Sequence, residues 1–382
     1  MKGVNMRILI ATVTAGAGHV QAAAALEEAW KNFRPRDSVQ RLDVLDFAPK
    51  LYRQIYAEGY IKLVEHAPEL WALVFKKTDN PTLMRKLSRL RRTLGRLTTG
   101  TFSRRLGVLR PHVVLCTHFM PLEILGAGRR RKRQETKRPF VASVVTDFQA
   151  HALWMDPVVD LYCVAQEETK NGLVARGVPS DQVIATGIPV AAKFSQSPNP
   201  SAVKKQAGLS DDLPILLVLS GGFGMGPVRQ VLDQLDRIPA DFQVIVVCGK
   251  NEELRRELAA RNPLRPTHVL GFVTNMHELM SVSTLILTKP GGLTCSEALA
   301  LGKPLVLLNP IPGQEAANSD FLLEHAAAVK VLRLEELPFR VEKLLDPARL
   351  KSMAAAARQL GRPHAAPDIC REVLRRVQAT NA

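Results

Sequence analysis

Short apolar runs alternate with longer amphipathic stretches along most of the chain. Ile8–Val13, Val113–Cys116, Phe140–Val145 and Leu161–Ala165 are apolar at successive positions, as strands covered on both faces are. The second half repeats the pattern at Ile215–Leu219, Gln243–Cys248, His268–Leu270, Thr284–Leu287 and Leu305–Leu308. Strands alternating with helical stretches predict parallel α/β sheets. Between the halves lies Phe194-Ser-Gln-Ser-Pro-Asn-Pro-Ser201, a polar segment that reads as a linker. At 382 residues the chain is long enough for two cores. The expected organisation is a Rossmann-like domain over 1–193, a linker over 194–212 and a second Rossmann-like domain over 213–366. A terminal helix over 367–382 carries Ile369, Val373 and Val377 at helical spacing.

The interval 48–110 breaks this rhythm. It opens with Tyr52, Tyr56, Tyr60, Trp71 and Phe75. A helical pattern follows, in which Leu83, Leu87, Leu90, Leu94 and Leu97 form an apolar stripe. Arg85, Arg89, Arg92 and Arg96 recur on another face. Such a basic amphipathic helix suits the interface of an anionic bilayer. It equally describes a domain helix with leucines on the core and arginines in solvent.

Charge sharpens the choice. The formal net charge is +16, of which residues 1–150 carry +15 and the remainder +1. An asymmetry this complete marks the first half as facing something anionic, either a membrane surface or nucleic acid. Arginines without interleaved base-stacking aromatics argue against nucleic acid. The cationic run Arg129–Arg133 reads as a solvated loop. No apolar run approaches a membrane span, and Arg7–Val13 reads as a first strand rather than a signal sequence, with Met6 as an alternative start. Five scattered cysteines without a C-x-x-C pattern suit a reducing compartment and no zinc site.

The candidate chemistry lies at strand ends. After the strand at 285–287 comes Thr288-Lys-Pro-Gly-Gly-Leu-Thr-Cys-Ser-Glu297, a glycine turn opening a helix. Such a turn offers backbone N–H groups to an anion. Gly291, Gly292, Leu293 and Thr294 are placed to hold a diphosphate, and Glu297, expected in the first helical turn, to hold a ribose. One strand later, Pro312-Gly-Gln-Glu-Ala-Ala-Asn318 presents Gln314, Glu315 and Asn318, which suit sugar hydroxyls. Near the start, Gly16 and Gly18 precede His19 at a helix N-terminus, which favours the neutral imidazole of a general base or a plain helix cap. Thr146-Asp147-Phe148 ends a strand, with His151 and Trp154 behind it; Asp147 either orients His19, binds an acceptor or caps the next helix. Ser220-Gly-Gly-Phe-Gly-Met-Gly226, with Gly222, reads as a phosphate- or sugar-approaching loop. No Asp-x-Asp and no metal-ligand spacing occurs, so no metal or other cofactor is expected.

These motifs resemble the monogalactosyldiacylglycerol synthase / processive diacylglycerol glucosyltransferase family, and its bacterial form more closely. The resemblance rests on Thr288-Lys-Pro-Gly-Gly, Pro312-Gly-Gln-Glu, the Gly-x-Gly-His at Gly16–His19, the Val-Thr-Asp with Trp154 following, and Gly271-Phe272-Val273. It departs at Ala317, where the family often has glycine. The resemblance implies a GT-B fold of two Rossmann-like domains facing across a cleft, with the terminal helix crossing back to the first. It also implies a peripheral enzyme at the cytoplasmic face of a membrane, moving glucose or galactose from UDP-glucose or UDP-galactose to diacylglycerol with inversion, in glycolipid synthesis. His19 would serve the acceptor hydroxyl, Phe272 and Val273 the uracil, and anionic lipids would meet the arginine helix. Phe272 reads as readily as a core residue. The rival activities are N-acetylglucosamine transfer to a lipid-linked cell-wall precursor and UDP-sugar epimerisation; nucleic-acid binding is the rival of another class.

Overall fold

In a computed structural model, residues 5–14, 16–50, 52–53, 59, 67–128, 138–196, 198–220 and 226–380 are described. The Arg129–Arg133 run and Gly222 lie outside them, as do the side chains of Arg85, Arg89, Arg92 and Arg96.

Two six-stranded, all-parallel sheets form two compact units. The first holds β1 (Arg7–Thr12), β2 (Ser38–Asp43), β3 (Val113–Cys116), β4 (Phe140–Val144), β5 (Leu161–Val164) and β6 (Val183–Ala185), in the order β2-β1-β3-β4-β5-β6. The second holds β7 (Ile215–Leu219), β8 (Gln243–Val247), β9 (Thr267–Leu270), β10 (Leu285–Thr288), β11 (Leu305–Leu308) and β12 (Ala328–Val331), in the order β12-β11-β10-β7-β8-β9. The second order is that of a dinucleotide-binding Rossmann sheet, and the first begins in the flavodoxin manner. Each sheet therefore reverses direction once, between β1 and β3 and between β7 and β10. In open parallel sheets ligands bind beyond the strand C-termini at that reversal.

Pleating sorts the first unit's strand residues onto two faces. Leu9, Ala11, Val114, Cys116 and Val141 face a layer containing Phe102 and Trp154. Ile8, Ile10, Val113, Leu115 and Ala142 face Leu26 and Trp30 of the helix Ala17–Phe33. The terminal helix Ala365–Thr380 joins that second layer through Ile369, Val373 and Val377, so His364–Ala382 belongs to unit 1. Burial on both faces is why these strands read as unbroken apolar runs.

The unit boundary falls between Ala192 and Lys193. The span expected as linker contains a helix, Pro200–Gln206, whose start is capped by Asn199 accepting from Ser201 and Ala202 N–H. Proline at the first helical position and Asn before it are helix-start signals that the Pro/Ser composition hid. The strands β2, β6 and β12 were not expected; β2 is an edge strand with a half-polar sequence, and β6, the opposite edge, is only three residues long.

The interval 68–109 forms two helices, Pro68–Thr78 and Pro81–Leu109. In the longer one Met84 and Phe102 are buried, and Leu106 and Leu109 pack on the same core. Leu83, the first residue of the expected stripe, is exposed, as are Leu70, Leu73 and Val74 on the shorter helix. None of the described helices is long and apolar enough to cross a membrane.

Candidate active site

At the reversal of the first sheet, β1 leads to Gly16, whose φ of 98° only glycine adopts without strain, and the helix Ala17–Phe33 starts there. His19 lies in its first turn. Its Nδ1 is 2.9 Å from the Thr117 carbonyl oxygen, at the end of β3. A carbonyl only accepts, so Nδ1 carries the proton and donates, and Nε2 keeps a free lone pair. Thr146 Oγ1, at the end of β4, is also 2.9 Å from Nδ1, and Thr117 Oγ1 donates to the His19 carbonyl at 3.0 Å. Burial pushes the His19 pKa down to about 4, against the smaller upward pull of the Thr117 hydrogen bond. The ring is thus neutral near pH 7, the form a base requires.

His118 meets His19 edge-to-face, with centroids 4.8 Å apart and planes at 89°. Its Nδ1 accepts from Met120 N–H, and burial, aided by His19, holds its pKa well below the usual range. Asp147 follows Thr146 and is half-buried. From this strand end the side chain of Thr146 reaches the His19 ring. Trp154 is buried against Phe119 in the core, a supporting position rather than an open face. His151 is structural as well: its Nδ1 accepts from Leu153 N–H and its Nε2 donates to the Phe75 carbonyl.

At the reversal of the second sheet, β10 runs into the helix Gly292–Ala300. No side chain caps its start, so the N–H groups of Gly292, Leu293 and Thr294 stand at its positive end. Gly291 has an ordinary φ of −67°, and a Cβ there would meet nothing within 4 Å. Neither backbone nor packing requires a glycine at 291, which fits close approach of a ligand. Glu297 lies in the second helical turn, not the first, because the helix begins at Gly292. Burial pushes its carboxyl up to about 8, and the Lys193 cation partly opposes this.

Lys193 also donates to the Thr274 carbonyl at 2.8 Å, pinning the Gly271–Thr274 segment. Phe272 of that segment is 66% exposed, which removes the core reading, and Val273 is half-buried. Asn318 is fully buried, and its Nδ2 donates to the Pro290 carbonyl at 3.1 Å. It braces the glycine turn and is not exposed to a sugar, a correction to its expected role. Gln314 and Glu315 begin the helix Gln314–Glu324, both half-buried.

Sequence reasoning missed Thr117, Thr146, His118 and Lys193. Three of these sit at the ends of β3 and β4, and only the strand order shows that those ends adjoin His19. Lys193 was hidden by the linker-like composition after it.

Two Rossmann-like, all-parallel sheets, each with a strand-order reversal at which a ligand can sit, define the GT-B fold. Solved structures with this fold include Acinetobacter baumannii MurG (TM-score 0.61, 17% identity, covering 97% of this chain and 100% of that one). The S. aureus MnaA–UDP co-structure is another (TM-score 0.60, 15% identity, 95% and 94% covered). The monogalactosyldiacylglycerol synthase model matches residues 19–190, and the glycosyltransferase family 28 C-terminal domain model matches 215–372. The chain is 32% identical over 378 residues to the processive diacylglycerol beta-glucosyltransferases of Bacillus thuringiensis (strain Al Hakam) and Bacillus cereus (strain AH820), covering 97% of this chain and 94% of each relative. The chain belongs to the monogalactosyldiacylglycerol synthase / processive diacylglycerol glucosyltransferase family.

Proposed function

We propose that this protein transfers a hexose, glucose or galactose, from its UDP-sugar to the free hydroxyl of 1,2-diacylglycerol. His19 takes the hydroxyl proton on Nε2 as the oxygen attacks the anomeric carbon. The bond to the UDP oxygen breaks on the opposite side, which inverts the configuration. Charge on the departing diphosphate is met by the N–H groups of Gly292, Leu293 and Thr294 and the helix dipole. Glu297 accepts from the ribose hydroxyls, and Gln314 and Glu315 bind the hexose. The observation that carries this reading is the pairing of sites: a neutral, oriented histidine at one sheet reversal and, at the other, an uncapped helix N-terminus with the Glu297 carboxyl one turn on.

The acceptor is confined to a bilayer, so the enzyme works at its surface. Exposed Leu70, Leu73, Val74 and Leu83, beside Lys76, Lys77 and the arginine-rich helix, support an interfacial face on unit 1. The test is incubation with radiolabelled UDP-glucose or UDP-galactose and diacylglycerol in anionic vesicles, with lipid products separated by thin-layer chromatography. Labelled glycosyldiacylglycerol from one donor is expected. Absence of labelled lipid with both donors, from protein that is folded, overturns the reading.

A further inference from the structure

The helix Pro68–Thr78 carries two aromatic side chains, Trp71 and Phe75, that meet a distant stretch of chain. Residues Ile311–Gln314 group with unit 1 through such contacts. Trp71 Nε1–H donates to the Pro312 carbonyl at 2.9 Å. Gly313 has φ +100°, and a Cβ built there would lie 2.9 Å from Phe75 Cγ and 3.1 Å from both Cδ atoms. The Phe75 ring therefore lies flat against the Gly313 backbone, in a contact that only glycine allows. Directly after it comes Gln314, whose Oε1 is buried and accepts no hydrogen bond among the described residues.

The aromatic pair is itself held in place. The Trp71 and Phe75 centroids are 5.9 Å apart, and the Phe75 ring meets that of His151 at 4.3 Å, tilted by 46°. His151 donates to the Phe75 carbonyl at 3.0 Å. One turn on, Asp79 accepts from Ala152 N–H at 2.8 Å and pairs with Arg176 at 2.5 Å. The end of this helix is thus fastened to the strand-end segment 150–154, and its aromatics in turn fasten Pro312 and Gly313.

We infer that Trp71 and Phe75 are positioning residues for Gln314, setting where its amide meets the hexose of the donor and so contributing to sugar recognition. This rests on the UDP-hexose reading above. A hydrogen bond to Pro312 fixes the backbone two residues before the amide, and a displacement of about 1 Å at a reacting substrate costs on the order of a hundredfold in rate. A purely structural role would lower stability and leave the hexose and nucleotide parts of the donor equally affected.

The experiment uses the full chain with Trp71→Phe, which removes the donor and keeps a ring, and with Gly313→Ala. Calorimetry measures UDP, UDP-glucose and UDP-galactose binding, and steady-state assays give kcat and KM for the donor used. The expected result for Trp71→Phe is unchanged UDP affinity and unfolding temperature, with roughly tenfold weaker UDP-hexose binding, the effect of about one hydrogen bond. The preference between the two UDP-hexoses should narrow, and Gly313→Ala should shift both quantities further in the same direction. Wild-type-like UDP-hexose binding by Trp71→Phe, or equal losses for UDP and UDP-hexose, overturns the inference while the donor reading stands. Failure of the wild type to bind any of the three ligands overturns both.

Discussion

The Nδ1 of His19 lies 2.9 Å from the carbonyl oxygen of Thr117, and that one contact fixes which nitrogen of the ring can accept a proton. A residue on the first helix is thereby oriented by the end of β3, 98 positions away in sequence. Thr146 adds a second oxygen from β4. The tautomer is a property of the sheet reversal, where β1 and β3 run side by side.

If His19 is the base, His19→Ala lowers kcat by roughly 10²–10⁴ and leaves UDP affinity unchanged. Single-turnover assays with calorimetry separate the two. Turnover close to wild type would reduce His19 to a helix-start residue.

The orientation of the ring gives a sharper version. Thr146→Val removes one oxygen beside Nδ1 without changing shape much. A loss of about 0.5–1.5 kcal/mol in transition-state stabilisation is expected, read as a fall in kcat of up to about tenfold. Unaltered kcat would leave Thr117 alone as the orienting group.

Glu297 supplies a test in pH. Its carboxyl ionises at about 8 in the free chain, above the unfolded value of 4.5. The folded chain therefore holds a proton that the unfolded chain has lost, so this group's contribution to stability declines as pH rises from about 4.5 to about 8. Glu297→Gln should be more stable than wild type, by a margin that widens across that window in thermal melts. Its UDP affinity should fall by roughly ten- to a hundredfold, the effect of losing a charge-assisted hydrogen bond. UDP binding to the wild type at pH 7 should release protons, seen as a dependence of the calorimetric enthalpy on buffer. Unchanged UDP affinity in Glu297→Gln removes the ribose assignment.

Asn318 should behave as a brace. Asn318→Leu leaves the Pro290 carbonyl unpaired in the core, at a cost of about 1–3 kcal/mol. Loosening of the glycine turn should weaken UDP as much as UDP-hexose. A selective loss for the hexose would return Asn318 to sugar contact.

Replacing Arg85, Arg89, Arg92 and Arg96 together with Gln should weaken binding to anionic vesicles by up to about 4 kcal/mol, at roughly 1 kcal/mol per cation. Raised salt should weaken the wild type similarly, because surface charges are screened. Activity on vesicle-borne acceptor should drop well below activity on a detergent-dispersed one. Equal vesicle sedimentation at low salt would assign this helix to the domain alone.

Much was legible in the sequence because it is locally encoded. Central strands buried on both faces are apolar, and eight of the nine expected strands stood out that way; the ninth, β9, is a half-buried edge strand. The Gly291–Gly292 turn, the Gly16–His19 segment and the Gln314–Glu315 pair stand out by residue type alone, since glycine turns, histidines and amide or carboxylate side chains are the groups that anion, proton and hydroxyl chemistry use. Edge strands β2, β6 and β12 did not: β2 is half-polar, β6 is three residues long, and Lys330 interrupts the apolar run of β12.

What the sequence could not contain is adjacency. Strand order decided that Thr117 and Thr146 reach His19, and packing decided that Asn318 turns inward to Pro290. It also decided that the half-buried Glu297 carboxyl is desolvated enough to hold its proton to about pH 8. These are long-range facts of desolvation and side-chain placement. They follow from which parallel strands lie next to each other, and no local pattern of residues specifies that.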